Sequence, residues 1–299
     1  MSIIILFLIV FLLSSIISGN NSTLILGPLR SSGIMGRNYS TLFVFLFILI
    51  GFILEGNKML LSLNYITGVE IIPFYIFLSS LIIFFIFTLL SYPLSAGMVF
   101  TGAIIGFSLY SRSLKLSTIF IFISWILSFA ISIILGYIIY NKISKRRKKS
   151  IGSRVTMIFL MSSSAFLSYT FGANTLGFLY AIDPNTYNFI AIILGIFFGT
   201  FFLNTFTYYN VKRSIVRLNR ERAVVSQISS SIVVEIFTQL HMPVSITQGV
   251  MGSIIGTGFS KGYVEINLKR VNQLILSWAI TPLFSAFMVM VMIMISPIL

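Results

Sequence analysis

Residues 243–256 read PVSITQGVMGSIIG, an apolar stretch whose proline, hydroxyls and spaced glycines do not suit one ordinary spanning helix. A near copy, PLSAGMVFTGAIIG, occupies residues 93–106. The two share Pro, Ser, Gly, Ile, Ile and Gly, six of fourteen positions, at a constant offset of 150. That is too many for two unrelated apolar runs, so the chain reads as a duplication. Two further pairs agree at an offset of 153: Gly19, Asn20, Asn21 and Ser22 against Gly172, Ala173, Asn174 and Thr175, and Ser124-Trp125 against Ser277-Trp278. The division that follows is a first transmembrane repeat at 1–141, a basic cytoplasmic linker at 142–153, and a second, inverted repeat at 154–299.

With 299 residues, 57% hydrophobic, 9% charged and a mean hydropathy of +1.03, the chain is an integral membrane protein. Its apolar runs are long, without the alternating ten-residue strands of an outer-membrane barrel, so the fold class is all-α. The absence of cysteine excludes disulfides, thiolate metal sites and cysteine nucleophiles. A net charge of +14 does not point to nucleic acid, because the basic residues sit in short loops between apolar runs.

Taken in order, residues 2–17 form a first span, lacking the basic start of a secretory signal. It leads into Gly19, Asn20, Asn21, Ser22 and Thr23, a polar cluster expected to mark a broken or re-entrant helix end. Further spans are expected near 40–56, 73–90 and 117–140, with a hairpin of two short helices over 93–110. The second half repeats this, with spans near 155–171, 188–207, 224–241 and 271–297 and a second hairpin from Pro243. Residues 212–222 are a basic amphipathic stretch suited to the membrane surface. If each half crosses an odd number of times, the halves are inverted. With the N-terminus outside, seventeen of the twenty lysines and arginines lie inside, leaving Lys58, Arg112 and Lys115 outside. Inverted repeats with broken helices mark secondary transporters, whose substrate sits near the midplane. The localisation implied is the plasma membrane, multi-pass.

No lysine or arginine falls inside an expected span, so an anion there would be held by helix N-termini, hydroxyls and amides. Ser95 and Ser245 each follow a proline by two positions, where a short helix can begin. Thr247 and Gln248 add donors in the second hairpin only, which makes the expected site asymmetric. Glu235, expected inside a span, is a candidate for proton coupling, with His241 as a possible helper. Asn21 and Asn174 can cap broken helices, Gly102, Gly106, Gly252 and Gly256 suit close packing, and Trp125 and Trp278 suit packing or interfacial anchoring. Metal ligands and nucleophile-base partners form no coherent set, so an enzyme is not expected.

The paired G-x-N motifs, paired P-x-S hairpins and Ser-Trp pairs resemble the inorganic phosphate transporters of the PiT type and the related sulfate permeases. The resemblance covers most of the chain. It implies two inverted repeats with re-entrant hairpins, an inorganic oxyanion as substrate, no cofactor, and a homodimer in the lipid bilayer. By the same resemblance Ser95, Ser245, Thr247 and Gln248 would contact phosphate, while Asn21, Ser22, Asn174 and Thr175 would lie at cation sites. The family's usual motif is Gly-Ala-Asn-Asp, and this chain carries Ser22 and Thr175 in place of the aspartates. That removes two carboxylates from the expected sodium sites, leaves H+ or Na+ as the coupling ion, and keeps two alternatives open: a sulfate permease, or a transporter-derived subunit of a larger membrane complex that does not itself transport.

Overall fold

The computed structural model describes residues 3–89, 94–145, 153–204, 219–260 and 267–295. Pro93, linker residues 146–152, residues 212–218 of the basic stretch, and Lys261 lie outside the described residues. Among the described residues there are eleven α-helices and no strand. The first half holds α1 (Ile3–Ser31), α2 (Arg37–Glu55) with its 3-10 continuation Gly56–Tyr65, α3 (Pro73–Leu89), α4 (Ala96–Tyr110) and α5 (Thr118–Lys145). The second holds α6 (Ser153–Thr170), a π segment at Phe171–Leu176, α7 (Gly177–Ile182), α8 (Thr186–Phe198) with a π segment at Gly199–Leu203, α9 (Arg220–Gln239), α10 (Ile246–Phe259) and α11 (Leu268–Ile295).

Among the described residues, six helical stretches are long and apolar enough to cross a membrane. Three come from the first half, Ile3–Ser31, Arg37–Tyr65 and Thr118–Ser144; three come from the second, Arg154–Ile182, Thr186–Leu203 and Val271–Ile295. The fold is that of an all-α, multi-pass membrane protein.

Two expected spans fall outside these six and pair with the helices that follow them. The one near 73–90 is α3, described over the 17 residues Pro73–Leu89. It pairs with α4 as a hairpin whose ends meet. Gly68 N–H donates to Ser113 O at 3.1 Å, Lys115 N–H to Ile66 O at 3.0 Å, and Ser117 Oγ to Tyr65 O at 2.8 Å. The chain thus leaves the 3-10 segment and returns to the same place. The expected span at 224–241 is α9, too polar to be among the six because Gln227, Ser229, Ser230 and Ser231 interrupt its apolar residues. It pairs with α10 through a reversal at Leu240–Ser245, where His241 adopts φ 59°. Accordingly no turn lies inside Ala96–Tyr110, which is one helix.

The expected break at Gly19–Thr23 is also absent, since α1 runs through it. Its polar side chains are satisfied on the preceding turn: Asn21 Nδ2 donates to Ile17 O at 2.9 Å, Ser22 Oγ to Gly19 O at 3.2 Å, and Thr23 Oγ1 to Asn20 O at 2.6 Å. Such back-bonding lets polar residues remain in a helix. At the matching place in the second half the helix widens into the π turn at Phe171–Leu176 and then continues. Lys58 likewise corrects the reading that no basic residue enters a span, because it lies within Arg37–Tyr65.

Packing exchanges partners between the halves. Gly102 and Gly106 of α4 bring that helix against the backbone of Pro282 and Ala286 in α11. Gly252 and Gly256 of α10 do the same against Phe129 and Ile133 in α5. The glycines are 150 residues apart and their partners 153, so one contact is made twice. Both helix pairs approach closely because no side chain stands between them.

Candidate anion site

Ser95 and Ser245 are the N-caps of α4 and α10. Ser95, at φ −106° and ψ 115°, accepts the Met98 N–H at 3.3 Å. Ser245, at φ −92° and ψ 120°, accepts the Gln248 N–H at 3.3 Å. An extended cap residue lets its hydroxyl turn back on the third amide of the helix, satisfying one of the first N–H groups. The amides of the first two positions keep no intrahelical partner, and the positive end of the helix dipole lies there.

These two ends face each other. A methyl placed on Gly97 would lie 3.7 Å from Val244 O and 3.8 Å from Pro243 O, so the first turn of α4 abuts the backbone leading into α10. Thr247 is the residue aligned with Gly97, and it donates through Oγ1 to Asn21 Oδ1 at 3.3 Å. Gln248 is 4% exposed and its Oε1 has no partner. Thus Ser245, Thr247, Gln248 and Asn21 come together, with Ser95 on the facing cap.

The other expected residues divide. Ser22 is spent inside α1, and Thr175 is buried in the π turn. Asn174 holds the hairpin reversal: Nδ2 donates to Thr238 Oγ1 at 2.9 Å and to Met242 O at 3.1 Å, while Oδ1 accepts Val244 N–H at 3.1 Å. Trp125 is buried rather than interfacial, and its Nε1 donates to Pro243 O at 2.9 Å. Thr238 and this use of Trp125 were missed from sequence, where nothing in their spacing marks them. His241 ends α9 and meets Lys58 O through Nδ1 at 2.8 Å.

Glu235 faces α2 instead of the hairpin tips. Gln239 Nε2 donates to Glu235 Oε1 and, at 3.2 Å, to Glu55 Oε2, while Lys58 Nζ donates to Gln239 Oε1 at 2.6 Å and pairs with Glu55 at 2.9 Å. This network of Glu55, Lys58, Gln239 and Glu235 joins the two halves. Sequence placed Lys58 outside the spans, which hid it.

Chemically, the facing caps present N–H groups, hydroxyls and an amide, without a formal charge among them. They suit the oxygens of an oxyanion. A multiply charged anion placed there would remain uncompensated in a low-dielectric interior, so it needs an accompanying cation. Among the described residues no cluster of three or more His, Cys, Asp or Glu could hold a metal ion.

Residues 141–289 match the model of the phosphate transporter family. A Methanocaldococcus jannaschii protein described as a candidate phosphate permease is 32% identical over 199 residues, 64% of this chain and 65% of that protein. One from Chlamydia trachomatis with the same description is 27% identical over 45% of this chain and 35% of its own length. The matches therefore span less than two thirds of these relatives. A solved structure, the sodium-dependent phosphate transporter, superimposes with a TM-score of 0.83 over 98% of both chains at 18% identity. The family model matched by residues 141–289 and the fold shared over nearly the whole chain are both those of transporters. The second half of the chain thus matches the phosphate transporter family model in sequence, and nearly its whole length shares the fold of a solved phosphate transporter.

Proposed function

We propose that this chain is a cation-coupled secondary transporter of inorganic phosphate, working by alternating access between two inverted repeats, 1–141 and 154–299, joined by a linker at 142–153. The observation that carries the reading is the pair of serine-capped helix ends, Ser95 and Ser245, facing one another with Thr247 tied to Asn21. Phosphate is held by Ser95, Ser245, Thr247 and Gln248 and by the free amides of the first turns. Three candidate spans per half support the inversion, since an odd number of crossings places the two hairpins on opposite sides. The basic residues then put the N-terminus outside and the linker inside the plasma membrane.

Sodium is the coupling ion this reading favours, because the structural neighbour is named as sodium-dependent. Asn21, Ser22, Asn174 and Thr175 supply neutral oxygens, which coordinate a hard cation less strongly than carboxylates do. The coupling ion therefore binds weakly in the absence of phosphate, and the anion contributes the missing charge. Proton coupling through Glu235 is the alternative. The chain acts as a homodimer in this reading.

Radiolabelled phosphate uptake into proteoliposomes, at varied sodium and pH and with sulfate as competitor, tests the proposal. Saturable uptake that needs sodium and resists sulfate is expected. Sulfate uptake in place of phosphate would reassign the substrate, and uptake of neither would defeat the transport reading in favour of a subunit that does not transport.

A further inference from the structure

The long stretch Arg37–Tyr65 is not one regular helix. At Glu55 the backbone leaves helical values, with φ −126° and ψ −6°, and the chain continues as the 3-10 segment Gly56–Tyr65. A 3-10 stretch within a longer helix often marks a hinge. At three residues per turn, Gly56, Met59 and Ser62 fall on one face, and all three are buried. That face lies over the supports of the second hairpin. A methyl on Gly177 would lie 2.7 Å from the Gly56 Cα, so backbone meets backbone there, and Asn174 Nδ2 lies 3.8 Å from Met59 Sδ. Asn174 in turn holds Met242 and Val244, which lead into the Ser245 cap.

Polar contacts fasten the edge of the segment to the second half. Lys58 Nζ donates to Gln239 Oε1 at 2.6 Å, and Lys58 O meets His241 Nδ1 at 2.8 Å, within the hairpin reversal. These fasteners are weak. The bond from Lys58 to Gln239 is exposed, and charged contacts at exposed positions contribute little. Closure also leaves Glu235 Oε2 buried without a partner, a cost that access to water would relieve. The contact of Gly56 with Gly177 interlocks no side chains. A segment held in this way opens locally at low cost.

We propose that Gly56–Tyr65 is a movable strap: latched by Lys58 to Gln239 and His241, it covers the second hairpin's reversal, and it must lift for the candidate anion site to open on that face. The strap rests on the transport reading above. It assigns Lys58 to gating, apart from the residues that hold the anion, and makes the network between the halves a latch that forms and breaks in each cycle.

The chain has no cysteine, so introduced thiols report alone. In phosphate-loaded proteoliposomes, Lys58→Cys with Gln239→Cys should exchange phosphate until a short, reducible bifunctional thiol reagent joins the two positions. Exchange should then stop, and return when the bridge is reduced. Full exchange with the bridge closed would show a fixed structural junction, and the strap falls. A second measurement reads the strap without transport. In the full chain in lipid nanodiscs, the thiol of Met59→Cys lies beneath the closed strap. Adding Lys58→Met should speed its labelling by a water-soluble maleimide about threefold or more, the scale of one exposed charged pair. Equal labelling with and without Lys58→Met overturns the strap. If even the unsubstituted chain exchanges no phosphate, the transport reading fails, and the labelling comparison alone decides the strap.

Discussion

Asn21 and Asn174 occupy matching places in the two halves, yet they do different work. Asn174 uses both amide atoms on the second hairpin, bonding Thr238, Met242 O and Val244 N–H. Asn21 gives its nitrogen to its own helix and its oxygen to Thr247, a side chain of that same second hairpin. Both asparagines therefore converge on the second hairpin, Asn174 at its reversal and Asn21 at the first turn of α10. Duplication supplied two equivalent positions, and substitution at the hairpin tips, Gly97 against Thr247, concentrated the side-chain contacts on one of them. The asymmetry lives in the tips, while the helix packing around them stays paired.

The largest expected effect breaks this comparison at Asn174. Asn174→Ala leaves the Val244 N–H and the Met242 carbonyl without their bonds to the side chain in a buried reversal. A cost of about 3 kcal/mol or more follows, at about 1–3 kcal/mol for each buried group left unsatisfied. Uptake should vanish with it. Asn21→Ala loses the long bond from Thr247 and a back-bond within α1, and should cost about 1 kcal/mol. Thermal unfolding in detergent compares the two directly, and equal losses would show that the halves are braced alike.

The packing pairs are the control, because they should respond symmetrically. A valine at Gly256 runs into Ile133 O and one at Gly106 into Ala286 O, with backbone on the other side in both cases. Each substitution should destabilise by about 2–3 kcal/mol, as overpacking does. A difference greater than about 1 kcal/mol between them would mean that the two helix crossings are not equivalent.

Much of this is legible in the sequence. Hydropathy showed a helical membrane protein, and the repeated P-x-S and G-x-N stretches located the caps and the asparagines. Periodicity could not show that α3 pairs with α4 as a hairpin, because α3 is as apolar as a spanning helix. Polar clusters misled in the other direction. Asn21, Ser22 and Thr23 look like a break, but their back-bonds keep α1 helical. The Glu55, Lys58, Gln239 and Glu235 network joins positions some 180 residues apart, and no local pattern carries such a contact.

A smaller effect sharpens the comparison at the tips. Thr247→Val preserves shape and removes the hydroxyl that bonds Asn21 and, in the proposed site, the anion. The KM for phosphate should rise about tenfold, equivalent to about 1.4 kcal/mol, with little change in folding. Its counterpart, Gly97→Thr, asks whether the first tip can be made like the second. The space there is open enough, with the nearest atoms of Val244 and Pro243 at 3.7 and 3.8 Å, so the variant should fold. A lowered KM would show that the asymmetry limits affinity.

The smallest expected effect concerns Glu235. It shares the Gln239 amide with Glu55, and Lys58 neutralises one carboxylate of the two. Glu235→Gln keeps the shape and removes one negative charge from a half-exposed network, so the change in stability should stay within about 1 kcal/mol. Because Glu235 faces α2 and makes no described contact with Ser245, Thr247 or Asn21, sodium-driven uptake should persist with an unaltered pH profile. Uptake measured with imposed proton and sodium gradients separately decides the matter. If proton-driven uptake is present in the unsubstituted chain and disappears in Glu235→Gln, coupling runs through this network, and the chain has moved its coupling site from the asparagine motifs to the junction between α2 and α9.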